Sequence, residues 1–132
     1  MTVAINSQTG KGLLVFDYTG EAAIGLQGNI LNPEGCTLLI TESYLWLITA
    51  STAAATINVG HAATGVDNAS FHGAMPLNCA AGTAWMGFHP AVTQDAAMLE
   101  IVLAAEFFTF TTAAQSALPC VAKFYFKYVR VE

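Results

Sequence analysis

Positive charge is what this chain has least of. Its 132 residues carry four Lys and Arg against nine Asp and Glu, a formal net charge of −5. Between Lys11 and Lys123 there is no Lys or Arg. Charged residues of both signs make up 10% of the chain, against about 25% in an average soluble domain. From Ser43 to Leu99 only Asp67 and Asp95 are charged. A chain without a cationic stripe cannot neutralise a row of phosphates, so nucleic acid is excluded as a partner. Mid-chain there is no Lys or Arg to stabilise a transferring phosphoryl group. Nor is there a polybasic segment to hold the chain on an anionic membrane.

Other shortages narrow the reading further. Cys36, Cys79 and Cys120 are too few and too scattered for a disulfide framework, and they read as reduced, buried small hydrophobes. The long apolar stretches, Thr37–Ala50 and Ala96–Phe110, are broken by Glu42, and by Glu100 and Glu106. Neither offers the roughly 18 clean residues of a membrane helix. The first residues, Met1 to Gln8, lack a basic segment followed by an apolar one, so no signal peptide is expected and the chain reads as made in a cytoplasm.

What is present is small and apolar. Ala alone accounts for 23 residues, and Leu, Ile, Val and Phe together for 36. That aliphatic and aromatic share, above the roughly 20% that marks disordered chains, predicts a folded core. One domain is the expectation at this length: an irregular N-terminal arm over residues 1–10, then a single β-domain over 11–132.

Short strands follow one another. Leu13–Tyr18 alternates, and Ala22–Leu31 is a weaker strand whose Gly25 and Gly28 mark bends or bulges. Asn32-Pro33-Glu34-Gly35 is a tight turn, with Pro presetting φ and Gly closing it. In Cys36–Thr49, Leu38 and Ile40 have one parity while Leu45 and Leu47 have the other. Thr41-Glu42-Ser43 is therefore the expected bulge or crossing point, and both faces of this run are expected to be covered. Ala55, Ile57 and Val59 alternate in the next strand. His61–Gly82 reads as a long loop, and Trp85–Phe88 as a short strand ended by Pro90. Ala96–Ala105 fits both a helical stripe and a strand alternation, with strand preferred. Phe107–Thr112 is rich in β-formers, and Val121–Val131 puts Phe124, Phe126 and Tyr128 on one face and Lys123, Tyr125 and Lys127 on the other. Seven to nine short strands without a clear helix predict an all-β, antiparallel β-sandwich, jelly-roll-like.

Residues in patterns that carry chemistry are few. His61, His72, His89, Cys79 and Asp67 are the available metal ligands, and no two have a ligand spacing. Asp67, Ser70 and His72 are close in sequence, yet no nucleophile elbow accompanies them. Glu42, Glu100 and Glu106 are the carboxylates inside strand-like runs, where a solvent-facing or subunit-seam role is expected rather than that of a glycosidase pair. Trp46 is expected in the core. Trp85, with Phe71, Phe88 and His89, is the less settled case and the one open to sugar stacking. No catalytic, cofactor-binding or metal-ligating residue is assigned, no cofactor is expected, and the chain is not read as an enzyme.

One pattern is more specific. Asn32-Pro-Glu-Gly35, then Leu39-Ile-Thr41, Tyr44-Leu-Trp-Leu47, Thr49–Ala55 and Ile57-Asn-Val-Gly60 follow in order, with Ala80-Ala-Gly-Thr83 and the closing Tyr125–Val131 strand. This order resembles small virion proteins of tailed bacteriophages, the head decoration or cement type. The resemblance covers most of residues 22–83 and 120–131, loosely 91–118, and not the first ten. It implies a jelly-roll-like domain that forms a homotrimer, binds the major capsid protein on the virion surface and stabilises the head, with no catalytic residues. The alternative is a head-fibre or adhesin module that binds cell-surface glycans through Trp85, His89, Asp67 and Asn68 at loop tips.

Overall fold

The computed structural model describes residues 3–5, 11–86 and 100–131. Among the described residues the regular elements are all strands: β1 (Val3–Ile5), β2 (Leu13–Thr19), β3 (Gly25–Leu31), β4 (Thr37–Thr49), β5 (Thr56–Ala62), β6 (His72–Pro76), β7 (Ala84–Met86), β8 (Glu100–Val102), β9 (Phe107–Ala113) and β10 (Val121–Val131). They form two antiparallel sheets packed as a sandwich. The first runs β1-β2-β10-β4, with β7 and β8 sharing the far edge of β4; the second runs β3-β9-β5-β6. Pairing is nested about the middle of the chain: β5 with β6, β4 with β7 and β8, β3 with β9, β2 with β10. The chain is thus one long hairpin, rolled up. The pairs β4–β10 and β5–β9 close the roll.

Alternation explains which side chains lie between the sheets. Leu14, Phe16 and Tyr18 of β2 and Phe124 and Phe126 of β10 are fully buried. Ile57 and Val59 of β5 and Phe108 and Phe110 of β9 face them from the other sheet. The centre is aromatic. Phe16 meets Phe108 and Phe110 across the sandwich at ring-centroid distances of 5.2 and 5.3 Å, and Phe71 meets Phe126 at 4.9 Å. These are the tilted and edge-on separations that aromatic pairs favour.

The long strand β4 shows the expected parity change, with a different consequence. Ile40 lies opposite Tyr128 and Glu42 opposite Lys127, so Thr41 is an extra residue with no opposite number. This bulge switches the inward set from Leu38 and Ile40 to Ser43, Leu45 and Leu47, all fully buried. Among the described residues only one face of β4 is therefore covered. Trp46, expected in the core, lies on the outer face and is 41% exposed.

Two further expectations change, and a third is met in part. Within the arm expected over residues 1–10, Val3–Ile5 is an edge strand on β2, and Val3 is buried. The loop expected over His61–Gly82 contains the end of β5 and all of β6. Between them, residues 63–70 fold back over the outer face of the second sheet. A side chain at Gly60 would place its Cβ 2.0 Å from Asn68 Oδ1 and 2.8 Å from the Asn68 backbone, so glycine is required there by the close approach. Of the ambiguous Ala96–Ala105 run, Glu100–Val102 is strand, as preferred, while 96–99 lie outside the described residues.

The turn at Asn32–Gly35 forms as expected. Asn32 Oδ1 accepts the Glu34 N–H at 3.0 Å, and Gly35 takes φ +68°, a value open to glycine at little cost. Asn32 also ties this turn to the next one. Its side-chain amide donates to Cys36 O and Leu103 O, and its backbone N–H to Glu106 O.

Candidate functional site

The outer face of the first sheet is the surface on which exposed rings, aliphatic side chains and paired charges come together. Strand registers lay it out as rows crossing β2, β10 and β4. One row is Asp17, Lys123 and Trp46; the next is Val15, Tyr125 and Tyr44; the third is Leu13, Lys127 and Glu42. Beyond it, Val129, Leu39 and Ile101 line up across β10, β4 and β8. Neighbouring strands are about 4.8 Å apart, so each row is a contiguous strip of side chains.

Charge on this face cancels. Lys123 Nζ lies 3.0 Å from Asp17 Oδ1, and Lys127 Nζ lies 3.7 Å from Glu42 Oε1. The Lys123 pKa is raised, first by its hydrogen bond to Asp17, so the ammonium persists through the ordinary pH range. Tyr44 donates its hydroxyl to Glu42. The third cation of β10, Arg130, sits 3.9 Å from Glu34 and donates from Nε to Cys36 Sγ at 3.2 Å.

The two ends of this face differ. At one end, Ile101 and Val129 are 51% and 54% exposed, with Leu39 half-buried between them, an aliphatic strip. At the other end a shallow depression of about 300 Å³ opens beside Lys123 and Asp17, walled by Ile48 and Val121. It sits where the register of β10 against β4 slips between Val121 and Ala122.

The residues that the sequence offered as chemistry are placed elsewhere. His61, at the end of β5, is met by two of the three strand carboxylates. Its Nε2 lies 3.0 Å from Glu100 and its Nδ1 3.2 Å from Glu106. Both ring nitrogens donate only when the ring is an imidazolium. Glu106 also accepts the Leu103 N–H at 2.8 Å, and the His61 ring packs on Phe71 at 5.5 Å. Glu100 belongs to the first sheet and His61 to the second, so this cluster latches the sheets together at one end of the sandwich. Its three members are not a metal centre, since each carboxylate faces a different nitrogen of the ring. Among the described residues no group of three or more His, Cys, Asp or Glu converges on a point.

Asp67, Ser70 and His72 are not brought together. Asp67 accepts from the Asn58 side-chain amide at 3.0 and 3.3 Å, and Asn68 accepts the Ser70 N–H at 2.9 Å. His72 is buried at the start of β6 with its ring 6.2 Å from that of Phe124, and neither of its nitrogens has a hydrogen-bond partner. Burial lowers its pKa from 6.5 to about 4, because an apolar site disfavours the charged ring. Cys36 and Cys79 are half-buried and Cys120 is buried; all three are unpaired. Burial pushes the Cys120 thiol up to about 11, which removes its nucleophilic form. Phe71 belongs to the core, while Phe88 and His89 lie outside the described residues. Of the loop-tip set of Trp85, His89, Asp67 and Asn68, Trp85 lies on β7 opposite Leu45 and not at a loop tip, and Asp67 and Asn68 are engaged in holding their own loop.

Sequence reasoning missed the outer face of the first sheet as a site. The signal was present: the parity change at Thr41-Glu42-Ser43 that buries Leu45 and Leu47 also turns Tyr44 and Trp46 outward. Compared with protein-family models, curated proteins and solved structures, the chain matches none.

Proposed function

We propose that this chain is a structural binding protein of the virion, a capsid decoration or cement protein that docks on the major capsid lattice and stabilises the head. The observation that carries the reading is the aliphatic strip Val129–Leu39–Ile101, in register on three strands and free of charge, with Val129 and Ile101 exposed on either side of the half-buried Leu39. Interface cores are depleted in charge in the same way. The nested pairing of the strands supports reading the sandwich as a jelly roll, an architecture that recurs in viral capsid and lectin domains. Fold alone does not assign function; the strip and the order of motifs over residues 22–83 and 120–131 add the specific support. Self-association as a trimer is part of this reading, because closed cyclic symmetry buries uncharged surface without leaving open edges.

A ligand that binds only the assembled shell stabilises that shell by mass action. The test is co-sedimentation of the purified protein with expanded heads built from the major capsid protein of the genome that encodes it. Binding is expected with expanded heads, with a higher head melting temperature. Ile101→Asp and Val129→Asp are expected to abolish it while leaving the isolated protein folded. A monomer by light scattering that fails to sediment with any head form would overturn the proposal.

A further inference from the structure

The other end of the same face is built differently, and we infer that it is a binding platform for a neutral carbohydrate, with Trp46 as the stacking ring and the Lys123–Asp17 pair as its polar partner. Three aromatic side chains, Trp46, Tyr44 and Tyr125, occupy adjoining positions of the grid on β4 and β10. Trp46 is 41% exposed although it lies within the longest strand of the fold. Directly opposite it is Lys123, and opposite Lys123 is Asp17. The depression of about 300 Å³ lies beside this row, at the lower limit of small-ligand sites.

The chemistry of a pyranose ring fits these parts. One of its faces is a patch of C–H groups, which stacks on an aromatic ring that is apolar in its body. Its rim carries hydroxyls, each able to donate and accept. The Asp17 carboxylate accepts, the Lys123 ammonium donates, and the two are held 3.0 Å apart, ready to bracket vicinal hydroxyls. The Tyr44 hydroxyl, fixed on Glu42, and the Lys127–Glu42 pair supply a second such set two rows away, four residues along β10.

Charge selects among ligands. Among the described residues both ammonium groups on this face are matched by carboxylates, so neither a phosphate nor a sulfated sugar finds an unpaired cation there, and no cationic ligand an unpaired carboxylate. A second protein is the poorer fit here: the aliphatic strip around Leu39 suits a protein, whereas around Trp46 the charged pairs Lys123–Asp17 and Lys127–Glu42 lie in the same rows as the rings or in the row beside them. The inference stands apart from the capsid reading, since it uses different residues.

The test is an array of neutral oligosaccharides, with sulfated and sialylated ones as controls, probed with the full-length protein. Hits are then titrated by calorimetry and mapped by amide chemical-shift perturbation. Neutral glycans are expected to bind, with the shifts centred on Trp46, Ile48 and Val121. Trp46→Ala and Asp17→Asn are each expected to weaken binding tenfold or more, Trp46→Tyr to restore part of it, and Ile101→Asp to leave it unchanged. Trp46 is on the surface, and near-UV circular dichroism and melting establish that each variant is folded. Retention of no neutral glycan, retention of anionic ones alone, or binding indifferent to Trp46→Ala would overturn the inference. So would an oligomer that buries Trp46 and dissociates in Trp46→Ala without any glycan binding.

Discussion

His72 shows how a single buried side chain sets a condition on the whole fold. It begins β6, lies between the sheets against Phe124, and has no polar partner for either nitrogen. Only the neutral ring is tolerated, so burial lowers its pKa from 6.5 to about 4. The unfolded chain then binds the extra proton at higher pH than the folded one, and stability rises with pH wherever that difference persists. The contribution is fully present above pH 6.5 and is lost progressively as pH falls from 6.5 toward 4. The shift corresponds to on the order of 3 kcal/mol at most. Urea unfolding at pH 7.5 and pH 5 is expected to show a loss for the parent protein that is clearly smaller in His72→Leu. Equal losses in both would mean that the ring is solvated. Position 72 read as a loop histidine in the sequence because Gly73 and an irregular run surround it; nothing local records that Phe124, far along the chain, packs against it.

At the level of the strand, Thr41 is the informative residue. Without it the alternation of β4 would run unbroken, with Ile40 opposite Tyr128 and Glu42 opposite Lys127 as consecutive pairs. Deleting Thr41 therefore keeps Leu38, Ile40, Ser43, Leu45 and Leu47 inward and removes only the bend and the Thr41 hydroxyl bond to Lys127 O. The deletion variant is expected to fold with a stability loss of about 1–2 kcal/mol, the range of one lost hydrogen bond with modest repacking. Inserting an alanine after Ser43 should instead turn Leu45 and Leu47 outward and prevent folding. Denaturant unfolding of both variants checks the pair, and a deletion that fails to fold would show that the bend itself is indispensable. This strand also marks how far the sequence could be read. The parity change and the Asn32–Gly35 turn are local, and both were legible, as were the inward faces of β2, β5 and β10. The side to which Trp46 turned was recoverable from the same bulge. The strand β6 was not, because His72-Gly-Ala-Met-Pro76 has no alternation of its own and is held as a strand by pairing with β5.

The whole molecule is two sheets that must stay in contact at both ends, and His61 is where one end is fastened. Its ring takes Glu100 from the first sheet and Glu106 from the turn that opens β9, while Asn32 pins that turn to the one before β4. No sequence spacing joins residues 32, 61, 100 and 106; rolling the hairpin does. Glu100 sits on a strand of three residues, so β8 depends on this latch more than the longer strands do. Elements with few buried contacts open first and at low free-energy cost. Replacing His61 by Ala leaves two part-buried carboxylates without the ring nitrogens that each of them meets. The cost expected is about 2–4 kcal/mol, the range for removing one partner of a buried charged hydrogen-bond network. The sharper reading is local. Amide exchange should accelerate first at Glu100–Val102 and at Leu103, whose N–H is held by Glu106, while β2 and β10 change only with global stability. Glu100→Gln in the parent chain should produce a weaker form of the same pattern, because a neutral amide still accepts from the ring. Uniform acceleration across both sheets in His61→Ala would show that the histidine supports the core as a whole and fastens no particular strand.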